Sequence, residues 1–99
     1  MGRSSREGGF QDKLRKEIET KLPGWVVLKQ ESLQGYPDLL CMKGEKCFCL
    51  ECKKSKTAPH QPNQDTYVDK INSDGGFARF IYPENKQEVL NEILQTFGS

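Results

Sequence analysis

The chain has 99 residues, with 15 lysines and arginines against 14 aspartates and glutamates and a formal charge of +1. That length supports one domain with one core, and the near balance of charge excludes a nucleic-acid binder that works through bulk charge, so any basic footprint must be local. No apolar run is long enough to span a bilayer and no signal peptide opens the chain, so no membrane partner is expected and the expected compartment is the cytoplasm.

Residues 1–9 are rich in Gly, Ser and Arg and predict a flexible N-terminal arm. Arg3 and Arg6 could touch phosphate from it, although a solvated tail is the simpler reading. Residues 10–99 then form a single domain. Phe10, Leu14, Ile18 and Leu22 recur every fourth residue and predict an amphipathic helix, stopped by Pro23-Gly24. Trp25 to Lys29 is short and rich in β-branched residues and predicts the first strand. Gln30 to Gly35 is a polar connection. Tyr36 to Met42 and Lys46 to Lys53 predict a hairpin, because Gly44-Glu45 fits the two-residue type II′ loop that takes glycine first. Ala58 to Gln64 leads into a helix, with Pro62 in its first turn and Tyr67, Val68 and Ile71 as its apolar stripe. Asp74-Gly75-Gly76 is a turn, Phe77 to Tyr82 a strand ended by Pro83. Asn85 and Glu88 have the spacing of a capping box. They open a last helix with Val89, Leu90, Ile93, Leu94 and Phe97 facing the core. The order is α-β-β-β-α-β-α, which predicts an α/β fold with a central mixed sheet flanked by helices and the hairpin in its middle.

Centred on its loop, the hairpin sets Lys43 against Lys46, Met42 against Cys47, Leu40 against Cys49 and Asp38 against Glu51. Alternate residues of a strand share a face, so Asp38, Glu51 and Lys53 point the same way. Opposed carboxylates repel, and a fold avoids them unless a cation sits between. Magnesium takes one or two protein carboxylates and fills its other positions with water and phosphate oxygens. The stretch therefore predicts a hairpin that holds a hard divalent metal beside a lysine.

Cys41, Cys47, Cys49 and Cys52 all fall in this hairpin. They lack the paired C-x₂-C spacing of zinc sites, and Cys52 faces away from Cys47 and Cys49. A disulfide would need an oxidising compartment. They read as small apolar filler. Lys53, Lys54 and Lys56 form a basic cluster suited to a phosphate backbone. Gln61 and Gln64 fall near the N-terminus of the next helix, where the backbone favours anions. His60 is the one histidine; it could serve catalysis, but with no partner visible in the sequence the simpler reading is polar surface.

Pro37-Asp38 followed by Glu51-x-Lys53 resembles the signature of the PD-(D/E)XK nuclease superfamily. Gln61-Pro-Asn-Gln64, the following helix and Gly75-Gly76 resemble its virus-type replication-repair branch, VRR-NUC, and small phage proteins of the Holliday-junction-resolvase-like kind. The resemblance runs from about Phe10 to the last helix. It implies a restriction-endonuclease-like α-β-β-β-α-β core with a further C-terminal helix. It implies a structure-selective DNA endonuclease of branched or junction DNA, in a phage or bacterial cytoplasm. Asp38 and Glu51 would bind Mg²⁺ or Mn²⁺, with the backbone carbonyl of Cys52 as a further ligand. Lys53 would position the attacking water and stabilise the phosphate, and Gln64 would orient water or substrate. Lys54, Lys56 and Gln61 would contact nucleic acid. The family also has an acidic residue on its first helix. Here that position matches Gln11, with Asp12 and Glu17 as alternatives. DNA is the expected substrate, a homodimer the expected assembly, and a replication or recombination protein a candidate partner. The alternative is a catalytically degraded DNA-binding module of the same fold, gripping DNA through Lys53, Lys54, Lys56 and the arginine arm.

Overall fold

The computed structural model describes residues 6–30, 36–60 and 63–98. Helix α1 spans Arg6–Lys21 and is followed by strands β1 (Val26–Lys29), β2 (Leu39–Lys43) and β3 (Lys46–Cys52). Helix α2 (Gln64–Ser73), strand β4 (Ala78–Ile81) and helix α3 (Lys86–Phe97) complete the expected order. The strands form one mixed sheet in the order β1-β2-β3-β4. The first three are antiparallel neighbours, and β4 lies parallel to β3. A parallel neighbour needs a crossover, and α2 lies on the chain between them. The fold is the α/β arrangement with a central mixed sheet that the element order predicts, and it agrees with the restriction-endonuclease-like core that the resemblance implies.

The hairpin pairs as its loop dictates: Lys43 with Lys46, Met42 with Cys47 and Leu40 with Cys49. Gly44 has φ 61°. A positive φ at the first loop position is what glycine supplies without steric cost.

One face of the sheet is closed. Leu39, Cys41, Phe48, Leu50, Cys52 and Ile81 are buried there against Leu14 and Ile18 of α1 and Val89, Leu90 and Ile93 of α3. At its end Trp25, Phe48, Phe77 and Phe97 pack as an aromatic group, with Trp25 and Phe48 centroids 5.3 Å apart. The other face is covered over β3 and β4 by α2, where Val68 and Ile71 meet Cys49, Ala78 and Phe80. Over β1 the same face is open, and Val26 and Leu28 are exposed.

Two local expectations are corrected. Helix α1 starts at Arg6, so the expected arm over residues 1–9 stops short, and residues 1–5, with Arg3, lie outside the described residues. Once the Leu14–Ile18 stripe fixes a helix, each added residue gains a hydrogen bond. That carries the helix back over Gly8 and Gly9, poor formers by about 1 kcal/mol each. The capping box at Asn85 does not form: Asn85 is the N-cap residue of α3 but makes no side-chain cap bond. Its amide turns back instead, accepting from the Tyr82 N–H at 2.8 Å and donating to the Phe80 carbonyl at 3.1 Å. The polar groups at the end of β4 compete with the helix for the same side chain, and the strand wins. No helix among the described residues is long and apolar enough to cross a membrane.

Candidate active site

The last paired residues of the hairpin are Leu39 and Leu50, so one further step of the register sets Asp38 against Glu51. Asp38 is fixed from both sides. Its Oδ2 accepts a hydrogen bond from the Cys52 N–H at 2.9 Å. Its own carbonyl accepts from the Gln30 N–H at 2.9 Å, while Gln30 Nε2 donates to the Tyr36 and Pro37 carbonyls at 3.1 Å each. The N–H and C=O of one strand residue leave on the same edge, so the Cys52 carbonyl also points to the Asp38 side.

Glu51 and Lys53 are buried, at 3% and 4% exposure. Buried charges need partners, and here a single amide serves both. Gln64 Nε2 donates to Glu51 Oε2, and Gln64 Oε1 accepts from Lys53 Nζ. A carboxylate only accepts and an ammonium only donates, so the orientation of the amide is fixed by its neighbours. Lys53 Nζ donates in addition to the Pro59 carbonyl at 3.1 Å. Gln64 reaches the site because it is the first residue of α2 and follows Asn63, whose φ of 74° turns the chain sharply. Asparagine tolerates that left-handed conformation better than most residues.

Aromatic rings rim this end of the sheet. Tyr36, two residues before Asp38, is exposed and lies 4.2 Å from Tyr67 of α2. His60 stacks on Phe80 at 4.3 Å, and Phe80 is the β4 partner of Glu51.

The first-helix candidates separate by burial. Gln11 is 7% exposed and shares the inward stripe of Leu14 and Ile18. Asp12 turns outward to Lys29 at 3.8 Å, and Glu17 bonds Lys86 at 3.0 Å. Lys54 and Lys56 are exposed beside the site rather than in it. Gln61 and Pro62 lie outside the described residues. Of the cysteines, Cys41 and Cys52 belong to the closed face and Cys49 to the other, with Cys47 exposed. Among the described residues no three His, Cys, Asp or Glu side chains converge on one point. Burial pushes the Cys41 and Cys49 thiols up to about 12, so they remain protonated.

No family model matches the chain, and no curated protein matches it in sequence. A solved structure described as a VRR_NUC domain is similar in fold, with a TM-score of 0.69 and 20% identity over 95% of this chain and 99% of that one. The chain has the VRR_NUC fold. Within that VRR_NUC fold, Asp38, Glu51, Lys53 and Gln64 meet at one end of the β2–β3 hairpin. Gln30, which straps the Pro37-Asp38 segment, gives no sequence signal beyond its place in a polar connection. The contacts of His60 were equally hidden: only its spacing from Asp65 hints at the hydrogen bond between them, and nothing in the sequence announces the stacking on Phe80.

Proposed function

We propose that this protein is a divalent-metal-dependent DNA endonuclease that selects branched or junction DNA. The observation that carries the reading is the Glu51–Gln64–Lys53 relay beside Asp38. A binder has no use for two opposed carboxylates and an anchored lysine in one place. The donor set is all oxygen: the Asp38 and Glu51 carboxylates and the Cys52 carbonyl. It suits Mg²⁺ or Mn²⁺, which keep several positions for water and phosphate. When bound, such an ion polarises a phosphoryl oxygen and lowers the pKa of a bound water.

The remaining chemistry belongs to the chain. Lys53 has three donors; Pro59 and Gln64 hold two, and the third serves the attacking water or the phosphate. Because the ammonium is anchored beforehand, it needs no reorganisation as negative charge grows. Gln64 keeps Glu51 and Lys53 at a fixed separation. Lys54 and Lys56 grip the phosphate backbone from the exposed turn beyond β3. A homodimer would set two such sites on two strands of a branch, and the outer strand β1, with Val26 and Leu28 exposed, is the surface we assign to that contact. A monomer at micromolar concentration with full activity would remove this part.

One observation favours a second reading, a DNA-binding module of the same fold that does not cut. The first-helix residue that faces inward is an amide, Gln11, and not an acid. One assay separates the two. Supercoiled plasmid and synthetic junctions are incubated with the protein in Mg²⁺, Mn²⁺ or EDTA, beside Asp38→Ala and Lys53→Ala. Metal-dependent cutting that both substitutions reduce by at least about 10²-fold supports the nuclease. Binding without cutting, unchanged by Asp38→Ala, leaves the binding module.

A further inference from the structure

His60 is held more firmly than a surface histidine needs to be. Its Nδ1 lies 2.9 Å from Asp65 Oδ1. Its ring lies 4.3 Å from Phe80 and within 22° of parallel. A contact on the ring edge and another on the ring face fix both the position and the tilt of the imidazole. Asp65 only accepts, so Nδ1 carries the hydrogen and Nε2 is left as the atom that can exchange a proton.

The dyad is interleaved with the relay. Pro59, the residue before His60, gives its carbonyl to Lys53, and Gln64, the residue before Asp65, joins Lys53 to Glu51. Phe80 lies beside Glu51 across the β3–β4 pair, and paired strands are about 4.8 Å apart. The imidazole therefore stands one strand over from the buried carboxylate. Its side chain is 36% exposed, which puts it on the solvent side of the site, where a nucleic-acid strand must approach.

We propose that His60, oriented by Asp65 and Phe80, gives its Nε2 proton to the leaving oxygen of the scissile phosphodiester; this rests on the nuclease reading above. In the step, the water oxygen bonds to phosphorus and the bond from phosphorus to the leaving ester oxygen breaks. The bonding pair goes to that oxygen, which takes the proton from His60 Nε2. The attacking water gives up a proton to solvent, and solvent returns one to His60. The products are a phosphomonoester and a free hydroxyl. Lys53 and the carboxylates act on the attacking side and on the phosphate. His60 supplies what they do not, an oriented proton donor on the leaving side.

The test compares two substrates under single-turnover conditions in Mg²⁺. One is an ordinary junction. The other carries bridging sulfur at the leaving position, 3′ or 5′, that the wild-type products identify. A thiol leaves as its anion far more readily than an alcohol, so it needs no acid. His60→Ala should slow the oxygen substrate about 10²-fold or more and leave the sulfur substrate near the wild-type rate. His60→Gln, which keeps bulk and polarity but has no ring nitrogen to hand over a proton, should behave the same way. Asp65→Asn should lie between. Affinity for fluorescein-labelled junction in EDTA, followed by anisotropy, should be unchanged in all of them, and circular dichroism checks the fold. Equal slowing of both substrates, or wild-type rates for His60→Ala and His60→Gln on the oxygen substrate, would overturn the proposal while the nuclease reading stands. An intact protein that cuts neither substrate overturns both.

Discussion

The two faces of the sheet are built from the same four strands and obey opposite rules. At the centre of the closed face the side chains are apolar, and Phe48, Leu39, Leu50, Cys41, Cys52 and Ile81 are all at 0% exposure. On the other face the carboxylate and ammonium of Glu51 and Lys53 are nearly as deeply buried. The first face is stable because burying apolar area is favourable almost regardless of geometry. The second is tolerable because its charges are met: Gln64 offers each the correct end of its amide, and the Pro59 carbonyl accepts a further bond from Lys53. The difference teaches where each kind of substitution should be felt. A change on the closed face should be read in stability, and a change on the other in activity.

The largest effect should therefore come from Phe48→Ala. Phe48 is fully buried and touches Trp25, Phe77 and Phe97. Its truncation leaves a cavity at the centre of the aromatic group and should cost about 3–5 kcal/mol, seen as a lower urea midpoint with an unchanged slope. The fraction that remains folded should keep its activity. A loss of activity in fully folded Phe48→Ala would break the division between the faces.

Gln64→Leu is the complementary test. It removes both bonds that tie Glu51 to Lys53, while leucine fills much of the volume. Cleavage should fall by about 10²-fold, as when an oriented polar group is lost from a catalytic site. Stability should fall by only about 1–3 kcal/mol, the cost of leaving buried polar groups unsatisfied. Gln64→Glu should be worse for activity than Gln64→Leu, because it sets a further carboxylate against Glu51. Cleavage and urea titrations on the same preparations check all of this.

How much of each face was legible follows from the same contrast. The closed face was readable because apolar periodicity is local: the every-fourth stripe of α1 predicts which side is buried. The hairpin register was readable because one glycine fixes the loop and the strand period does the rest. That register was enough to bring Asp38 opposite Glu51 with Lys53 beyond. The support of the site was less readable. Gln30 strapping Pro37, and His60 leaning on Phe80 from 20 positions away, depend on contacts between segments that share no local pattern. Gln64 was identifiable from its motif, but its bridging of both charges was not. Asn85 misled because a single residue can cap a helix or finish a strand, and sequence spacing does not rank the two.

The smallest effect sits where the faces are joined. Arg79 leaves β4, covers the Phe77 ring at 4.0 Å, and forks onto Glu92 of α3 with bonds of 3.1 and 2.8 Å. Its Nη1 also donates to Asn72 of α2 at 3.0 Å, so one guanidinium touches the helices of both faces. The hydrogen bond from Arg79 holds the Glu92 carboxyl below its ordinary value of 4.5, aided by the nearby positive charge and opposed by partial burial. A lowered folded value means that the pair stabilises the protein above the ordinary carboxylate range and loses that contribution as pH falls through the folded value. The pair is largely exposed, so its worth is less than about 1 kcal/mol. Glu92→Gln should lower the urea midpoint slightly at pH 7, and the gap to the wild type should close as pH falls through the lowered value of the folded Glu92 carboxyl. Cleavage at neutral pH should not change. A Glu92→Gln protein that cuts more slowly while its stability holds would show that the rim of the closed face reaches the chemistry on the other.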